Sequence, residues 1–351
     1  MIHAIRLQQF RSYIDETIEF APGVNIIVGP NGCGKTNLLE ALLVSCTGAS
    51  YRVADGELIA FEKNWARIDT TLPAHTRTIK LQLQGLKTKK TYIFDDKQYK
   101  ILTHQHRLPV VLFEPNNMQL LHAQPEARRQ YLDDLLEQTQ PQFASIRKQY
   151  RRVLTQRNKL LKTKQPTSAE QFFVWNLRLS ELGGVLAKAR TELISHMNEV
   201  LPGLYHRVAG NNKTITTIHY QSKLPISSYE TTLLKSLEDN LVKDTLRGFT
   251  SYGPHRDDFM ICFDGKPAST RASRGETRSA LLALKVFELQ LLESVLGIKP
   301  ILLLDDVFSE LDGRRRHALA SFLQTHQTFI TTTDADLVLN DQMAASNIIP
   351  I

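Results

Sequence analysis

Cysteine is scarce: Cys33, Cys46 and Cys262 are the only three in 351 residues. They are too few and too scattered for a zinc cluster or a disulfide framework, and they suit a reducing compartment. No stretch approaches the roughly 18 uninterrupted apolar residues of a membrane span. The opening Met1-Ile2-His3-Ala4-Ile5-Arg6 lacks the apolar core of a signal peptide. A cytoplasmic location without a membrane partner is therefore expected. Internal repeats and low-complexity segments are also missing. Acidic residues are outnumbered, 36 against 43 Lys and Arg, which leaves a formal charge of +7. That excess fits a polyanion, whose counterions a cationic surface releases. A mildly basic soluble protein with no nucleic-acid role is the plainer alternative. What the chain does have is 42% apolar residues, enough for a full core in one large domain or two ordinary ones.

The first residues alternate apolar and polar over Ile2–Leu7 and Ile14–Phe20, which predicts antiparallel strands. Val24–Val28 is almost continuously apolar, as in a strand buried on both faces. Asn37–Cys46 then follows helical spacing. Further strand-like stretches are Ile79–Leu83, Thr91–Phe94 and Val110–Phe113. From Glu126 to Lys164 the composition turns helical, with a break at Pro141. Pro166-Thr167-Ser168 reads as a turn into a second helical stretch, Ala169–Val200, which should stop at Pro202-Gly203. Gly183-Gly184 would bend that stretch or let it pack closely. Strand character returns at Thr214–Tyr220 and Phe259–Phe263, followed by helix, apolar strand, helix and strand.

The strongest local signal is Gly29-Pro30-Asn31-Gly32-Cys33-Gly34-Lys35-Thr36, with Asn37 following. It fits a P-loop, whose glycines let backbone N–H groups cradle phosphates. Lys35 adds a point charge for the β and γ phosphates, Thr36 is a ligand for Mg²⁺, and the next helix aims its positive end at the anion. Much later, Ile301–Asp306 is an apolar strand ending in two carboxylates. There Asp305 would assist Mg²⁺, and Asp306 would orient or deprotonate water. Ser273-Arg274-Gly275-Glu276-Thr277 opens a helix and is either an N-cap or a second anion site. With a P-loop already present, the second anion would be another subunit's ATP.

In order, these parts resemble the ABC-type ATPase head: P-loop, signature turn at Ser273, Gly275 and Glu276, acidic strand, the loop with Ser309 and Asp312, and a last switch strand. That resemblance implies an ATP-bridged homodimer, with the signature serine acting in trans. The family's switch histidine would fall near Thr332 or Thr333, where this chain has threonine, and Asp306 stands where glutamate is usual. Hydrolysis should therefore be slow. Further stretches narrow the resemblance to the RecF family: Leu7–Tyr13, Gly34–Ala41, Arg128–Asp133, Tyr150–Asn158 and, above all, Gly253-Pro254-His255-Arg256-Asp257-Asp258. Two departures are Glu276, where that family has glutamine, and Asn116-Asn117, where it tends to Glu-Asp. Membership implies a weak DNA-stimulated ATPase whose ATP-closed dimer clamps double-stranded DNA at gaps. It also implies partnership with RecR and RecO, RecA loading, and a role in the SOS response.

The expected fold is α/β, an ABC-type head of mixed β-sheets (1–122 and 248–351) with an inserted short, coiled-coil-like helical lobe (123–247). Arg147, Lys148, Arg151, Arg152 and Arg157 belong to a run with no acidic residue among them. They form either a phosphate-tracking stripe or structural and solvated charge. His255 and Arg256 either couple the head to nucleotide and DNA or form a turn in which Arg256 pairs with Asp257 or Asp258. An SMC head needs coiled-coil arms of several hundred residues, for which the stretch between Thr36 and Ser273 is too short. A transporter ATPase normally keeps the switch histidine. A nucleotide-gated scaffold without hydrolysis is the remaining alternative.

Overall fold

A computed structural model describes all residues except 86, 115–119, 122, 123, 164–168, 211–213 and 335–345. The turn at Pro166-Thr167-Ser168 and the pair Asn116-Asn117 lie outside the described residues. The elements run β1 (Ala4–Phe10), β2 (Tyr13–Glu19), β3 (Val24–Val28), α1 (Lys35–Thr47), β4 (Trp65–Thr71), β5 (Thr76–Gln84), β6 (Lys87–Phe94), β7 (Lys97–Tyr99) and β8 (Val110–Phe113). Helices α2 (Pro125–Thr139), α3 (Phe143–Leu161) and α4 (Ala169–Ala209) follow. Next come β9 (Thr216–Gln221), α5 (Tyr229–Asp239), α6 (Leu241–Arg247), β10 (Asp258–Phe263), β11 (Lys266–Pro267) and α7 (Ala268–Arg271). The chain ends with α8 (Arg274–Leu296), β12 (Ile301–Asp305), α9 (Gly313–Leu323), β13 (Thr328–Thr332) and β14 (Asn347–Pro350).

Two compact units emerge. The first comprises residues 1–118, 207–210 and 281–351, and the second 119–206 and 211–280. Residues 248–280, expected with the head, cluster with the second unit, where β10 pairs with β9 over its whole length. No described helix is long and apolar enough to cross a membrane.

The first unit holds two sheets. A six-stranded antiparallel sheet has the order β2-β1-β4-β5-β6-β7, and a five-stranded sheet has the order β14-β3-β13-β12-β8. Every pairing in the latter is parallel. Its central strands are buried along nearly all their length, which is why their sequences read as apolar runs instead of alternating. Helix α1 lies in one core with β1 and β4: Leu38, Leu39 and Leu42 join Ile5, Leu7 and Ile68. On another core, Ile26, Leu302, Leu304 and Ile330 meet Leu282, Leu289 and Leu319.

The second unit combines helices with the small antiparallel sheet β11-β10-β9. Helix α4 does not stop at Pro202-Gly203 but continues to Ala209. An internal proline removes a backbone bond and costs about 3 kcal/mol, yet Leu201, Leu204, Tyr205 and Val208 are all buried. The apolar face therefore outlasts the proline. Gly183 and Gly184 of α4 serve close packing. A Cβ on Gly183 would sit 2.8 Å from Leu233, and one on Gly184 would sit 3.2 Å from Glu230 Cβ, both on α5.

Candidate functional site

Strands β3, β13 and β12 end side by side, with Val28 in register with Thr332 and Thr331 with Asp305. The C-terminal edge of a parallel sheet is where such folds bind ligands. The loop leaving β3 takes the left-handed backbone at Gly32 (φ 85°) and Gly34 (φ 118°), a conformation that strains any residue with a Cβ. At Gly34 a Cβ would also approach Ser12 Oγ to 3.0 Å. Gly34 is the N-cap of α1 and no side chain caps it, so the leading N–H groups suit an anion. Lys35 Nζ donates to the carbonyls of Gly29 (2.6 Å) and Pro30 (2.8 Å), which folds its charge against the loop. Asn31 is exposed, and Asn37 Nδ2 donates to Ser12 Oγ at 3.0 Å.

Thr36 and Asp305 meet, with Thr36 Oγ1 donating to Asp305 Oδ1 at 2.9 Å. The same oxygen accepts from Thr331 Oγ1 at 2.9 Å, and Oδ2 accepts from Tyr51 at 3.2 Å. Burial, then the Asp305 carboxylate, drives the Tyr51 phenol above its ordinary range, so it stays a proton donor here. Asp306 has a left-handed backbone (φ 50°), and its N–H donates to Thr331 Oγ1 at 2.9 Å. Its Oδ1 is buried and has no hydrogen-bond partner, a condition that costs about 1–3 kcal/mol. Neighbouring carboxylates are thus set apart: one is saturated by hydroxyls, the other keeps a free acceptor.

Two supports of this edge, Thr331 and Tyr51, were not legible in the sequence, and two more, Glu40 and Tyr13, lie in stretches marked there only by resemblance. Thr331 links both carboxylates, and strand register is the signal that could have found it. Tyr51 follows α1 with no motif to mark it. The buried Glu40 accepts from Arg11 Nε at 3.0 Å and from Ser50 Oγ at 2.5 Å, while Tyr13 donates to Gly34 O at 3.1 Å. These last contacts give the Leu7–Tyr13 stretch its work, bracing the loop from the β1–β2 turn.

Ser273 and Glu276 form a reciprocal cap at the start of α8. The Ser273 N–H donates to Glu276 Oε2 at 2.8 Å, and the Glu276 N–H donates to Ser273 Oγ at 3.2 Å. Glutamate and glutamine both close such a box, so the Glu276 carboxylate is engaged with its own helix. Ser273 is exposed and Gly275 half-buried. Ser309 Oγ donates to Asp306 O at 2.7 Å, and Asp312 caps α9 by accepting from the Arg315 N–H at 3.0 Å.

In the second unit the cationic run divides. Arg157 is 0% exposed. It donates to Asp244, Asn176, Thr250 and the Leu237 carbonyl. Arg147 is buried among Asp133, Glu137 and Gln130. These two therefore correct the expectation of one exposed stripe, because no DNA phosphate can reach guanidiniums already enclosed. Lys148, Arg151 and Arg152 do remain exposed. The Pro-His-Arg loop is not a charge-paired turn either. Asp258 takes Arg128 in a fork (2.8 and 2.6 Å), and Asp257 takes Tyr220 and Tyr229. Arg256 instead donates to Thr250 O at 3.2 Å and lies over the Phe249 ring. Burial, and then the charges of Arg256 and Arg129, lower His255 to about 4. The neutral ring donates from Nε2 to Thr250 O (3.1 Å) and accepts at Nδ1 from Tyr150 (2.7 Å).

A P-loop and an acidic strand on one edge of a parallel sheet, beside an antiparallel sheet, define the ATPase head of the ABC and SMC class. The family described as the RecF/RecN/SMC N terminal domain matches residues 1–348. The DNA replication and repair protein RecF of Halothermothrix orenii is 36% identical over 346 residues, covering 95% of this chain and 92% of that protein. RecF of Streptococcus thermophilus is 34% identical, covering 97% and 94%. A solved structure of the recombination mediator protein RecF-ATPrS in the RecFOR pathway superposes with a TM-score of 0.86 at 27% identity, covering 96% of this chain and 94% of that one. An Smc head, solved bound to the C-winged helix domain of ScpA, shares only the fold, with a TM-score of 0.52 at 15% identity. The chain belongs to the RecF family.

Proposed function

We propose that this protein is an ATP-dependent DNA-binding protein of replication and repair, with slow ATP hydrolysis that times release. The observation that carries it is the convergence of Lys35, Thr36 and the two unlike carboxylates, Asp305 and Asp306, on one sheet edge. Gly29, Asn31, Gly32, Gly34 and Asn37 complete the phosphate loop. The donor set of Thr36 hydroxyl and Asp305 carboxylate is oxygen only, which suits Mg²⁺. Bound there, Mg²⁺ supplies charge neutralisation at the phosphates. Asp306 would accept a proton from water, and its partnerless Oδ1 supports that role. The hydroxyls of Thr36, Thr331 and Tyr51 hold Asp305 in position, and threonine at 332 and 333 withholds the charge a switch histidine would add.

ATP would close a homodimer through Ser273 and Gly275 in trans, with Ser309 and Asp312 at the dimer loop. The capping box at Ser273 is compatible with that role, because the serine Oγ only accepts from the Glu276 N–H and its O–H can still donate to a phosphate. The protein would clamp duplex DNA at gaps in the cytoplasm, aided by RecR and RecO, and promote RecA loading. The solved relative in the RecFOR pathway supports this partnership, and the exposed Lys148, Arg151 and Arg152 support the DNA contact. Binding to a gapped duplex, followed by fluorescence anisotropy with ATP, ADP or neither, tests it. Tight binding only with ATP, lost in Lys35→Ala, is expected. Binding indifferent to nucleotide would reduce the DNA contact to nonspecific charge attraction.

A further inference from the structure

Three stretches singled out in the sequence meet in one cavity of the second unit: the start of α2, the middle of α3 and the Pro-His-Arg loop. The cavity measures about 330 Å³ and is lined by five arginines and two carboxylates, Glu126 and Asp133. Two of the arginines are already paired with carboxylates, Arg190 with Asp133 and Arg147 with Asp133 and Glu137. Asp133 takes Arg190 in a fork (2.8 and 3.0 Å) and lies 2.9 Å from Arg147 Nε. The other three, Arg129, Arg151 and Arg256, have no carboxylate within ion-pair distance among the described residues. Arg129 donates to the Asp257 carbonyl at 2.8 Å, Arg151 reaches Gln130 Oε1 at 3.5 Å, and Arg256 donates to the Thr250 carbonyl. Neutral partners orient a guanidinium without cancelling its charge.

The crowding acts on the arginines themselves. Burial, then the neighbouring Arg190, lowers the Arg129 guanidinium from its usual range despite Asp258 and Glu126, and Arg256 adds to the effect. The histidine at the mouth is held neutral, so it neither adds to the charge nor relieves it. A concave site with surplus cations and forked donors suits an anion with several oxygens.

We propose that this cavity binds a phosphate group through Arg129, Arg151 and Arg256. Phosphate supplies the oxygens that guanidinium forks match, and a backbone phosphodiester and free phosphate share that chemistry. The backbone source rests on the DNA-binding reading above, whereas the cavity itself does not. Arg151 and Arg256 are exposed at its rim, so both can be changed without disturbing the Asp133 cluster.

The test uses the full chain and inorganic phosphate as probe, in thermal melts against chloride at equal ionic strength. Phosphate should raise the melting temperature of the parent. The Arg151→Gln, Arg256→Gln double variant should lose about half of that rise or more, since any contribution of the P-loop is common to both. Unchanged melting in chloride shows that the variant folds, and Arg256→Lys should retain part of the effect. Equal phosphate-induced rises in parent and double variant overturn the proposal. A second arm titrates a duplex lacking terminal phosphates across a salt series with ATP. A log–log salt slope shallower by about one or two in the double variant identifies backbone phosphate. A lost phosphate effect with unchanged DNA affinity identifies free phosphate as the ligand. A parent that binds no duplex defeats the DNA reading, and the melts still decide the cavity.

Discussion

Asp306 Oδ1 in the first unit and the Arg157 guanidinium in the second are both buried charged atoms, and their surroundings are opposite. Arg157 is enclosed by an aspartate, an asparagine, a threonine and a carbonyl. Asp306 Oδ1 has no partner, although its neighbour Asp305 accepts from three hydroxyls. The first unit leaves a buried acceptor bare at a sheet edge. In the second, Arg157 is satisfied internally and ties α3 to α4 and α6. Partner count therefore separates the two: a buried charge with its donors engaged, as in Arg157, is architectural, whereas the bare oxygen of Asp306 is the one the proposed hydrolysis would use.

The comparison can be broken most directly at Arg157. Replacing it with alanine leaves Asp244 buried and uncompensated, and should cost about 3–5 kcal/mol in urea unfolding. The exposed neighbour Arg152→Ala should stay within about 0.5 kcal/mol. Equal costs at both positions would erase the distinction between enclosed and solvated members of the run. Next in size is Asp306→Asn, which keeps the shape and removes the base. Single-turnover hydrolysis should fall by about 10²-fold with ATP binding retained, and an unchanged rate would make the partnerless oxygen a bystander.

His255 sharpens the contrast by pH. Its folded value, about 4, lies below the ordinary 6.5, so folding favours the neutral ring. The associated stability is complete above about pH 6.5 and is lost as pH falls towards 4. Allowing for its partial exposure, the loss is about 1–2 kcal/mol. Unfolding of parent and His255→Asn at pH 7 and pH 4.5 checks this, since the variant should lack that share of the acid loss. Identical pH dependence would mean that His255 titrates alike in both states.

Much of the first unit was legible from residue order. The P-loop carries its own glycines at the positions where φ turns positive. The runs Val24–Val28 and Ile301–Asp305 declare strands buried on both faces. The second unit was legible as helices but not as contacts. The run from Arg147 to Arg157 contains no acidic residue, so it read equally as a phosphate-tracking stripe or as structural and solvated charge, and the partners that decide for Arg147 and Arg157, Asp133 and Asp244, come from elsewhere in the chain. Pro202 and the capping box at Ser273 show the same limit. Local chemistry predicted a helix end at the first and allowed two roles at the second, and each was decided by what surrounds it.

By itself the sequence determined the class of fold, the phosphate loop and the acidic strand, because those depend on backbone conformation and spacing along the chain. Only the tertiary structure decided which charges are free. That depends on distant residues brought within hydrogen-bond reach: Thr331 beside Asp305 and Asp306, Asp244 on Arg157, and no carboxylate among the described residues on Arg129, Arg151 or Arg256. A charge is defined by its neighbours, and in this chain most of those neighbours are remote in sequence.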